Sequence, residues 1–236
     1  MIWGEFNGQY KDVFFIRSTD GGNSFSEKKN LSVNIGQSVD AELETNGNNV
    51  YVVWLDYTTA NGNAEVLFKR SVDAGSSFGN VIHLSNNLEA SGDPQIGVSG
   101  NKVYVVWDTT DPVSLSMILK KSSDDGQTFG NDKIITTNAK IPLDVDASSD
   151  NKVYLLWTQQ DLRNRYDVNY IFERSISEGA SFSCFTKLKS SGYAMDTQLI
   201  STDSHILIIW RDYVGEQVIS DVLFRASPSF NFVQPQ

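Results

Sequence analysis

The sequence has little of what marks several common classes of protein. Its single cysteine, Cys184, cannot form a disulfide within the chain, which suits either a reducing compartment or a fold that needs no disulfides. No run of 18 apolar residues is present, so we expect no membrane-spanning helix. A basic segment followed by an apolar one does not open the chain, so we expect no signal peptide within it.

Positive charge is also scarce. Lys and Arg number 19 against 29 Asp and Glu, which gives a formal charge of −10, and no basic cluster stands out. Binding to nucleic acid depends on a basic surface that neutralises phosphates, so we expect no nucleic-acid partner. The acidity itself is best explained by solubility.

Proline is rare, with 5 residues, and no helical period is sustained. Val, Ile, Tyr, Phe and Trp are plentiful instead, which favours strands throughout. With 40% apolar and 20% charged residues, the chain has globular proportions and enough apolar material for a sizeable core. We therefore predict an all-β protein.

A short motif recurs along the chain. Residues 18–25 (STDGGNSF) follow the pattern S-x-D-x-G-x-x-F. The pattern returns at 71–78 (SVDAGSSF) and 122–129 (SSDDGQTF), and a weaker copy at 175–182 has Ser177 in place of the aspartate. The opening serines are 53, 51 and 53 residues apart. So regular a period indicates an array of equivalent structural units.

The tryptophans keep the same period. Successive tryptophans are 51, 53, 50 and 53 residues apart, and each one closes an apolar strand. Large aromatic side chains dominate core energetics, so we expect these residues to pack in the core. They are Trp3, Trp54, Trp107, Trp157 and Trp210.

One unit predicts four antiparallel strands. In the second unit we expect them at 40–45, 50–56, 65–70 and 81–84, with a Gly/Asn turn at 46–49. Several such units are typical of a β-propeller. We predict one domain, most simply with five blades; the alternative is a cropped piece of a propeller with six or more blades. The units span about 1–35, 36–88, 89–140, 141–192 and 193–236. The first lacks its strand one, and the last has a shortened strand four at 230–233.

The recurring motif resembles the Asp box, or BNR repeat, of sialidase-like β-propellers, where it joins strands three and four of a blade. Its chemistry suits a structural turn, because Ser and Asp side chains can bond the turn backbone and glycine permits positive φ. Phe25 should pack back between strands. A metal site is disfavoured, because each turn has too few oxygen ligands. The structural Asp-box residues are Ser18, Asp20, Ser71, Asp73, Ser122, Asp124 and Ser175.

An up-and-down blade places the Asp boxes on one face of the ring and the longer loops on the other. A further polar series, in phase with the repeat, begins strand one, the innermost strand, so we expect it around the central channel. There it should bind the backbone of neighbouring blades and channel water. The alternative is a cation or polar-ligand site, since crowded carboxylates need compensation. The series is Asp40, Glu42, Asp93, Gln95, Asp144, Asp146, Asp196 and Gln198.

Aromatic and Arg residues on the loop-rich face are the candidates for ligand binding. The family resemblance implies three arginines from different blades, a Tyr–Glu nucleophile pair and an Asp acid/base. Four of the arginines instead lie immediately before the Asp-box positions (Arg17, Arg70, Arg174 and Arg225), and the early F/Y-R-I-P motif is absent. We therefore assign no catalytic residue and no metal ligand. The ligand-binding candidates are Tyr57, Arg163, Arg165, Tyr166, Arg211 and Tyr213.

These observations favour a non-catalytic binding propeller that presents its loop-rich face to a glycan or protein. One alternative is a sialidase-type exo-glycoside hydrolase, whole or truncated. Another is a scaffold fragment completed by a partner or by oligomerisation. We expect no cofactor. The compartment stays open, and secretion or the cell surface would fit if the chain comes from a longer parent.

Overall fold

The computed structural model describes residues 1–58, 62–85, 90–110, 115–137, 141–160, 168–189, 194–202, 205–213 and 220–227. For some strand residues among them, including 194–196, 210–213 and 220–227, only the backbone is described. The described residues form strands, turns and bends, which confirms the all-β prediction. Within this part of the chain, no helix is long and apolar enough to cross a membrane.

In the described part of the chain, eighteen strands form five antiparallel sheets, each ordered as the strands follow along the chain. The second, third and fourth sheets have four strands, and the first and fifth have three. The first sheet contains β1 (Ile2–Phe6), β2 (Lys11–Phe15) and β3 (Lys29–Asn30). The second contains β4 (Ser38–Asn46), β5 (Asn49–Asp56), β6 (Glu65–Ser71) and β7 (Ile82–His83).

The remaining sheets repeat this plan. The third contains β8 (Ser91–Ser99), β9 (Lys102–Thr110), β10 (Leu115–Ser122) and β11 (Lys133–Thr136). The fourth contains β12 (Ile141–Ala147), β13 (Val153–Gln160), β14 (Val168–Ser175) and β15 (Ser183–Lys189). The fifth contains β16 (Ala194–Ser201), β17 (Ile206–Tyr213) and β18 (Ser220–Ser227). The predicted strand at 230–233 lies outside the described residues.

The core lies between neighbouring sheets, so the middle strands are buried on both faces. In β5, Val53 packs towards the third sheet with Trp107, and Trp54 packs towards the first sheet with Phe15. Trp54, Trp107 and Trp157 are at most 2% exposed, which places them in the core as expected. Trp3 is partly exposed, and the side chain of Trp210 lies outside the described residues.

The turns that carry the repeated S-x-D-x-G-x-x-F motif follow β2, β6, β10 and β14, and we call them Asp-box turns after the motif that they resemble. In the second sheet, the Asp73 carboxylate accepts hydrogen bonds from Ser71 Oγ (2.6 Å), Ser77 N (2.8 Å) and Ser77 Oγ (2.6 Å). These bonds, from Ser71 first, hold the pKa of Asp73 well below its ordinary range. Ser71 Oγ also accepts from Gly75 N at 2.8 Å, and Gly75 takes a positive φ of 81°. The turn is therefore a self-contained hydrogen-bonded unit.

A basic residue before each of the first three Asp boxes reaches the Asp box of the next sheet. Arg17 Nη1 donates to Ala74 O (2.8 Å), and Arg70 Nη1 donates to Asp125 O (2.8 Å). Lys121 Nζ pairs with Glu178 Oε2 (2.5 Å). These contacts fasten successive sheets together on the Asp-box face.

The position predicted for Arg225 was wrong by one residue. Arg225 lies opposite Ile208, the position that Lys69 occupies opposite Val52. Ala226 therefore stands where Arg70 stands in the second sheet. The cause is that the sequence after β18 lacks the S-x-D-x-G-x-x-F motif, which was needed to align this strand.

The expectation for Phe25 was also wrong, because its side chain is 52% exposed. In the next two sheets the corresponding residue packs on the preceding sheet, Phe78 against Phe15 and Phe129 against Phe68, with ring centroids 5.1 and 5.0 Å apart. Phe25 belongs to the first sheet, and no sheet precedes it along the described chain. A packing partner for Phe25 would therefore have to come from a sheet later in the chain or from another molecule.

Packing between sheets follows chain order. The innermost strands β4, β8, β12 and β16 pack successively against one another, and β1 and β2 pack against β4. The described residues of the first and fifth sheets show no comparable packing against each other. The four innermost strands thus surround a common axis.

Candidate functional site

A cavity of about 710 Å³ lies between the four innermost strands, β4, β8, β12 and β16. Its polar lining comes largely from the series that starts strand one in each unit. Asp40 is not among the lining residues but acts electrostatically on Glu42 and Asp93, and the side chain of Asp196 lies outside the described residues. The members of the series that line the cavity are Glu42, Asp93, Gln95, Asp144, Asp146 and Gln198.

A register shift interrupts each inner strand where this series begins. The shifts lie between Val39 and Glu42 in β4, and between Gly92 and Gln95 in β8. Asp40 and Asp93 have positive φ of 51° and 39°, a region that Asp tolerates better than most residues. The strict alternation of side chains expected from the sequence is therefore broken at these aspartates. Such bulges redirect side chains and are frequent near functional sites.

The described lining of the cavity is acidic and contains no internal counter-charge. Burial raises the pKa of Glu42, with the charges of Glu44 and Asp40 adding to the shift. Burial likewise raises the pKa of Glu44, and that of Asp93 with the charge of Asp40 adding. None of the described residues that line the cavity is Lys, Arg or His. These carboxylates are thus unpaired and partly desolvated.

Asp144 and Asp146 serve the structure of the ring as well as the cavity. Asp144 Oδ2 accepts a hydrogen bond from Leu199 N (2.6 Å), and Asp146 Oδ2 accepts one from Ser201 N. Both bonds tie β12 to β16, as expected for carboxylates that bind a neighbouring blade. Burial nevertheless raises the pKa of Asp144 to about 7, against the effect of its backbone donors.

The sequence reasoning missed Asp108, a buried carboxyl at the end of β9. Its side chain is 4% exposed, and its Oδ1 has no hydrogen-bond partner. Burial, followed by the charge of Asp93, raises its pKa to about 7. A Cβ on Gly92 would lie 2.5 Å from Asp108 Oδ1, so a larger residue there would require the Asp108 side chain to move. The sequence did contain one indication that this position is buried, because the corresponding residue of the second unit is the apolar Leu55.

No three His, Cys, Asp or Glu side chains converge closely enough to hold a metal ion in the part of the chain that is described. The cavity carboxylates accordingly form a polar lining rather than a compact ligand set.

The loop candidates are only partly placed. Tyr57 follows β5 at the loop-rich end and is 44% exposed. Arg163, Arg165 and Tyr166 lie outside the described residues. Arg211 and Tyr213 lie in β17, at positions for which only the backbone is described. Arg17 and Arg70 are bound on the Asp-box face.

Superposition on solved structures identifies the fold that these sheets form. NanB sialidase from Streptococcus pneumoniae, as its K499G mutant, superposes with a TM-score of 0.58 at 14% identity, over 91% of this chain and 35% of that one. Trypanosoma rangeli sialidase in complex with sialic acid gives a TM-score of 0.61 at 13% identity, over 91% and 38%. The fold is a β-propeller.

Phage phi92 endosialidase is similar as well, with a TM-score of 0.61 at 10% identity, over 86% of this chain and 46% of that one. The chain thus spans less than half the length of each of these three proteins. No protein-family model matches the chain, and no curated protein does. At these identities the likeness concerns the fold.

Proposed function

We propose that this protein is a saccharide-binding propeller whose ligand enters the axial cavity from the loop-rich face. The observation that carries the proposal is the cavity of about 710 Å³, lined by carboxylate and amide side chains from four different blades. This volume falls within the range of small-ligand pockets, and a few polar groups on a rigid frame are what such pockets use for specificity. A glycan ligand is supported by the three similar structures described above, which are two sialidases, one of them in complex with sialic acid, and an endosialidase.

The lining suits the chemistry of sugars. Hydroxyl groups would donate charge-assisted hydrogen bonds to Glu42 and Asp93, and both accept and donate with the Gln95 amide. Leu43 and Ile96, which also line the cavity, offer apolar contact to sugar C–H groups. On the rim, Tyr57 and the loop residues Arg163, Arg165, Tyr166, Arg211 and Tyr213 would extend the contact.

The charge of the lining favours a neutral or amine-bearing saccharide over an acidic one. Recognition of a carboxylate is best served by bidentate arginine, and the described lining has no basic residue. A carboxylate ligand would also meet repulsion from Glu42, Glu44 and Asp93.

The test is a glycan microarray with neutral, amino and acidic oligosaccharides, followed by calorimetric titration of the strongest hit. We expect a neutral or amino saccharide, and a loss of affinity of about tenfold or more in Gln95→Ala. Glu27→Gln, which changes an exposed carboxylate outside the cavity, is the matched control and should bind as the wild type does. A preference for sialylated glycans, or undiminished binding by Gln95→Ala, would contradict the proposal.

Glycoside hydrolysis is a second candidate, and one observation favours it. The pKa of Asp144 is raised to about 7 by burial, so about half of this carboxyl would carry at pH 7 the proton that a general acid has to donate. A panel of fluorogenic glycosides, sialosides included, decides between the two functions. Turnover that falls by about 100-fold or more in Asp144→Asn with binding retained, or sialoside turnover lost in Arg211→Ala, would establish an enzyme. Absence of turnover with any glycoside that binds supports the binding protein.

A further inference from the structure

A short exposed ridge lies on the loop-rich face, between the first and second sheets. It consists of Val33 and Ile35, in the segment that joins β3 to β4, and of Tyr57 after β5. Val33 is 73% exposed, Ile35 83% and Tyr57 44%. Tyr57 N donates to Gln37 O at 2.9 Å, so the two segments run side by side.

The ridge is held by polar side chains and not by its own apolar ones. The buried carboxylate of Asp56 accepts hydrogen bonds from Ser38 Oγ (2.8 Å) and Thr58 N (3.0 Å), and also from the Asn34 side chain. A Cβ on Gly36 would lie within 3.0 Å of Thr58, so the two segments are in close contact. Two loops are thus fastened to one anchor, and the apolar side chains are left facing outwards.

Val33 is held in an unfavourable backbone conformation. Its φ is +25°, a region that β-branched residues rarely adopt and that Asn adopts more easily. Asn30 Oδ1 secures the turn by accepting from Ser32 N and Val33 N, both at 3.1 Å. Backbone strain of this kind is typical of functional segments. Nothing among the described contacts of the Val33 side chain accounts for it.

The ridge leads directly into an acidic region. Asp40 follows Ser38 in the same strand, and its charge raises the pKa of both Glu42 and Asp93 in the cavity. The described cavity lining contains no basic side chain. A partner that crosses the ridge towards the channel therefore meets aliphatic side chains first and unpaired carboxylates next.

We propose that this ridge docks a protein segment that carries aliphatic side chains next to Lys or Arg. Two of its three apolar residues are β-branched and aliphatic, a surface that suits peptide side chains better than the flat face of a sugar, for which aromatic rings are the better platform. Charge complementarity with Asp40, Glu42 and Asp93 specifies the basic residues. A second copy of this chain is disfavoured by its charge of −10. The peptide would share Tyr57, Glu42 and Asp93 with the proposed saccharide site, but its binding does not require that a saccharide binds there.

The probe is a fluorescein-labelled, end-blocked decapeptide of alternating Leu and Lys, titrated with the protein in fluorescence anisotropy. Two companion peptides replace Lys by Glu or Leu by Ser. We expect the Leu/Lys peptide to bind at least about tenfold more tightly than either companion, and its affinity to fall as salt is raised. No binding of the Leu/Lys peptide up to about 1 mM protein, or equal binding of the Leu/Glu peptide, would overturn the proposal.

The decisive variant is Val33→Asn/Ile35→Ser, which removes the apolar side chains and places a residue that tolerates positive φ at position 33. It should fold at least as well as the wild type and bind the Leu/Lys peptide about tenfold more weakly. The matched control is Val72→Asn/Ile176→Ser on the Asp-box face, where the side chains are 60% and 64% exposed. An equal loss of peptide affinity in both variants, or no loss in the first, would overturn the assignment of the docking site to the ridge. A saccharide that loses affinity in the first variant while no peptide binds would assign the ridge to the saccharide site and would also overturn the proposal.

Discussion

At the scale of single residues, the acidic side chains divide into two groups with opposite electrostatics. Those of the Asp boxes accept several hydrogen bonds, and the pKa of Asp124, like that of Asp20, is lowered to about 2, with a side-chain bond from Thr128 or Ser24 as the first cause. Those at the axis and beside it lack such donors or are deeply buried, and the pKa values of Asp108 and Asp144 rise to about 7. The first group stabilises turns, whereas the second is destabilised by desolvation at or beside the polar cavity.

The raised pKa of Asp108 makes stability depend on pH. The folded chain keeps a proton that the unfolded chain releases near the ordinary value of 3.8, so stability falls as pH rises from roughly 4 to 7. Asp108→Asn is neutral at every pH. We expect it to match the wild type near pH 4 and to exceed it at pH 8 by on the order of a few kcal/mol.

Urea unfolding at pH 4, 6 and 8 measures this difference, with Glu27→Gln as an exposed control. A free-energy change in Asp108→Asn that is the same at all three values would show that ionisation of Asp108 is not its cause.

The residues of the channel were predictable from the sequence because their spacing follows the repeat. Six of the eight predicted polar residues line the cavity. Asp108 was not predictable in this way, because no other unit has a carboxylate at its position and burial appears only once the sheets are packed. The exposure of Phe25 was missed for a related reason, since the corresponding phenylalanines of the next two sheets pack on the preceding sheet and not on their own.

At the scale of elements, the Asp box can be tested by restoring its weak copy. In the fourth sheet, Ser177 replaces the aspartate and keeps only part of the network, with Ser181 N and Oγ both 3.0 Å from its Oγ. Ser177→Asp should reproduce the bonds of Asp73 and raise the free energy of unfolding by roughly 1 kcal/mol.

Thermal unfolding of Ser177→Asp against Ile176→Asp checks this expectation, because the second variant adds the same charge to the exposed neighbouring residue. Equal effects of the two substitutions would mean that the hydrogen-bond network does not matter.

The contacts between sheets on the Asp-box face give another prediction at this scale. Arg70→Met removes the bond from Arg70 Nη1 to Asp125 O and leaves that carbonyl without this donor. We expect a loss of roughly 1–3 kcal/mol in the free energy of unfolding. Denaturant unfolding measures it, and Lys11→Met, at an exposed residue of β2, should have little effect. If the free energy of unfolding is unchanged in Arg70→Met, this contact does not contribute to holding the sheets together.

The strands were largely predictable. Those expected at 50–56 and 65–70 appear as Asn49–Asp56 and Glu65–Ser71, because apolar runs bounded by Gly and Asn turns leave few alternatives. The bulges at Asp40 and Asp93 were not, since a register shift depends on pairing with the next strand rather than on local sequence.

At the scale of the whole molecule, closure of a five-bladed ring requires contact between the first and fifth sheets. Phe224 stands opposite Ile209 in the fifth sheet, the place that Phe68 occupies opposite Val53 in the second. Because Phe129 packs on Phe68 and Phe78 on Phe15, a closed five-bladed ring should bring Phe25 against Phe224.

A short thiol cross-linker applied to Phe25→Cys/Phe224→Cys, in a Cys184→Ser background, tests this closure. We expect an intramolecular link in the monomer, whereas Phe25→Cys/Phe172→Cys, which reaches the fourth sheet, should not react in this way. Links formed only between chains, or none, would favour an arc completed by a partner.

In the proposed function, ligands bind in the axial cavity, whereas the Asp boxes stabilise the fold. The most direct measurement is chemical-shift mapping of the amide resonances during titration with the saccharide selected on the array. We expect perturbations confined to β4, β8, β12 and β16 and the loop-rich ends of their sheets, with Glu42, Gln95 and Gln198 among the perturbed residues. Perturbations centred on the Asp-box turns at Asp20, Asp73 and Asp124, with the cavity strands unchanged, would contradict it.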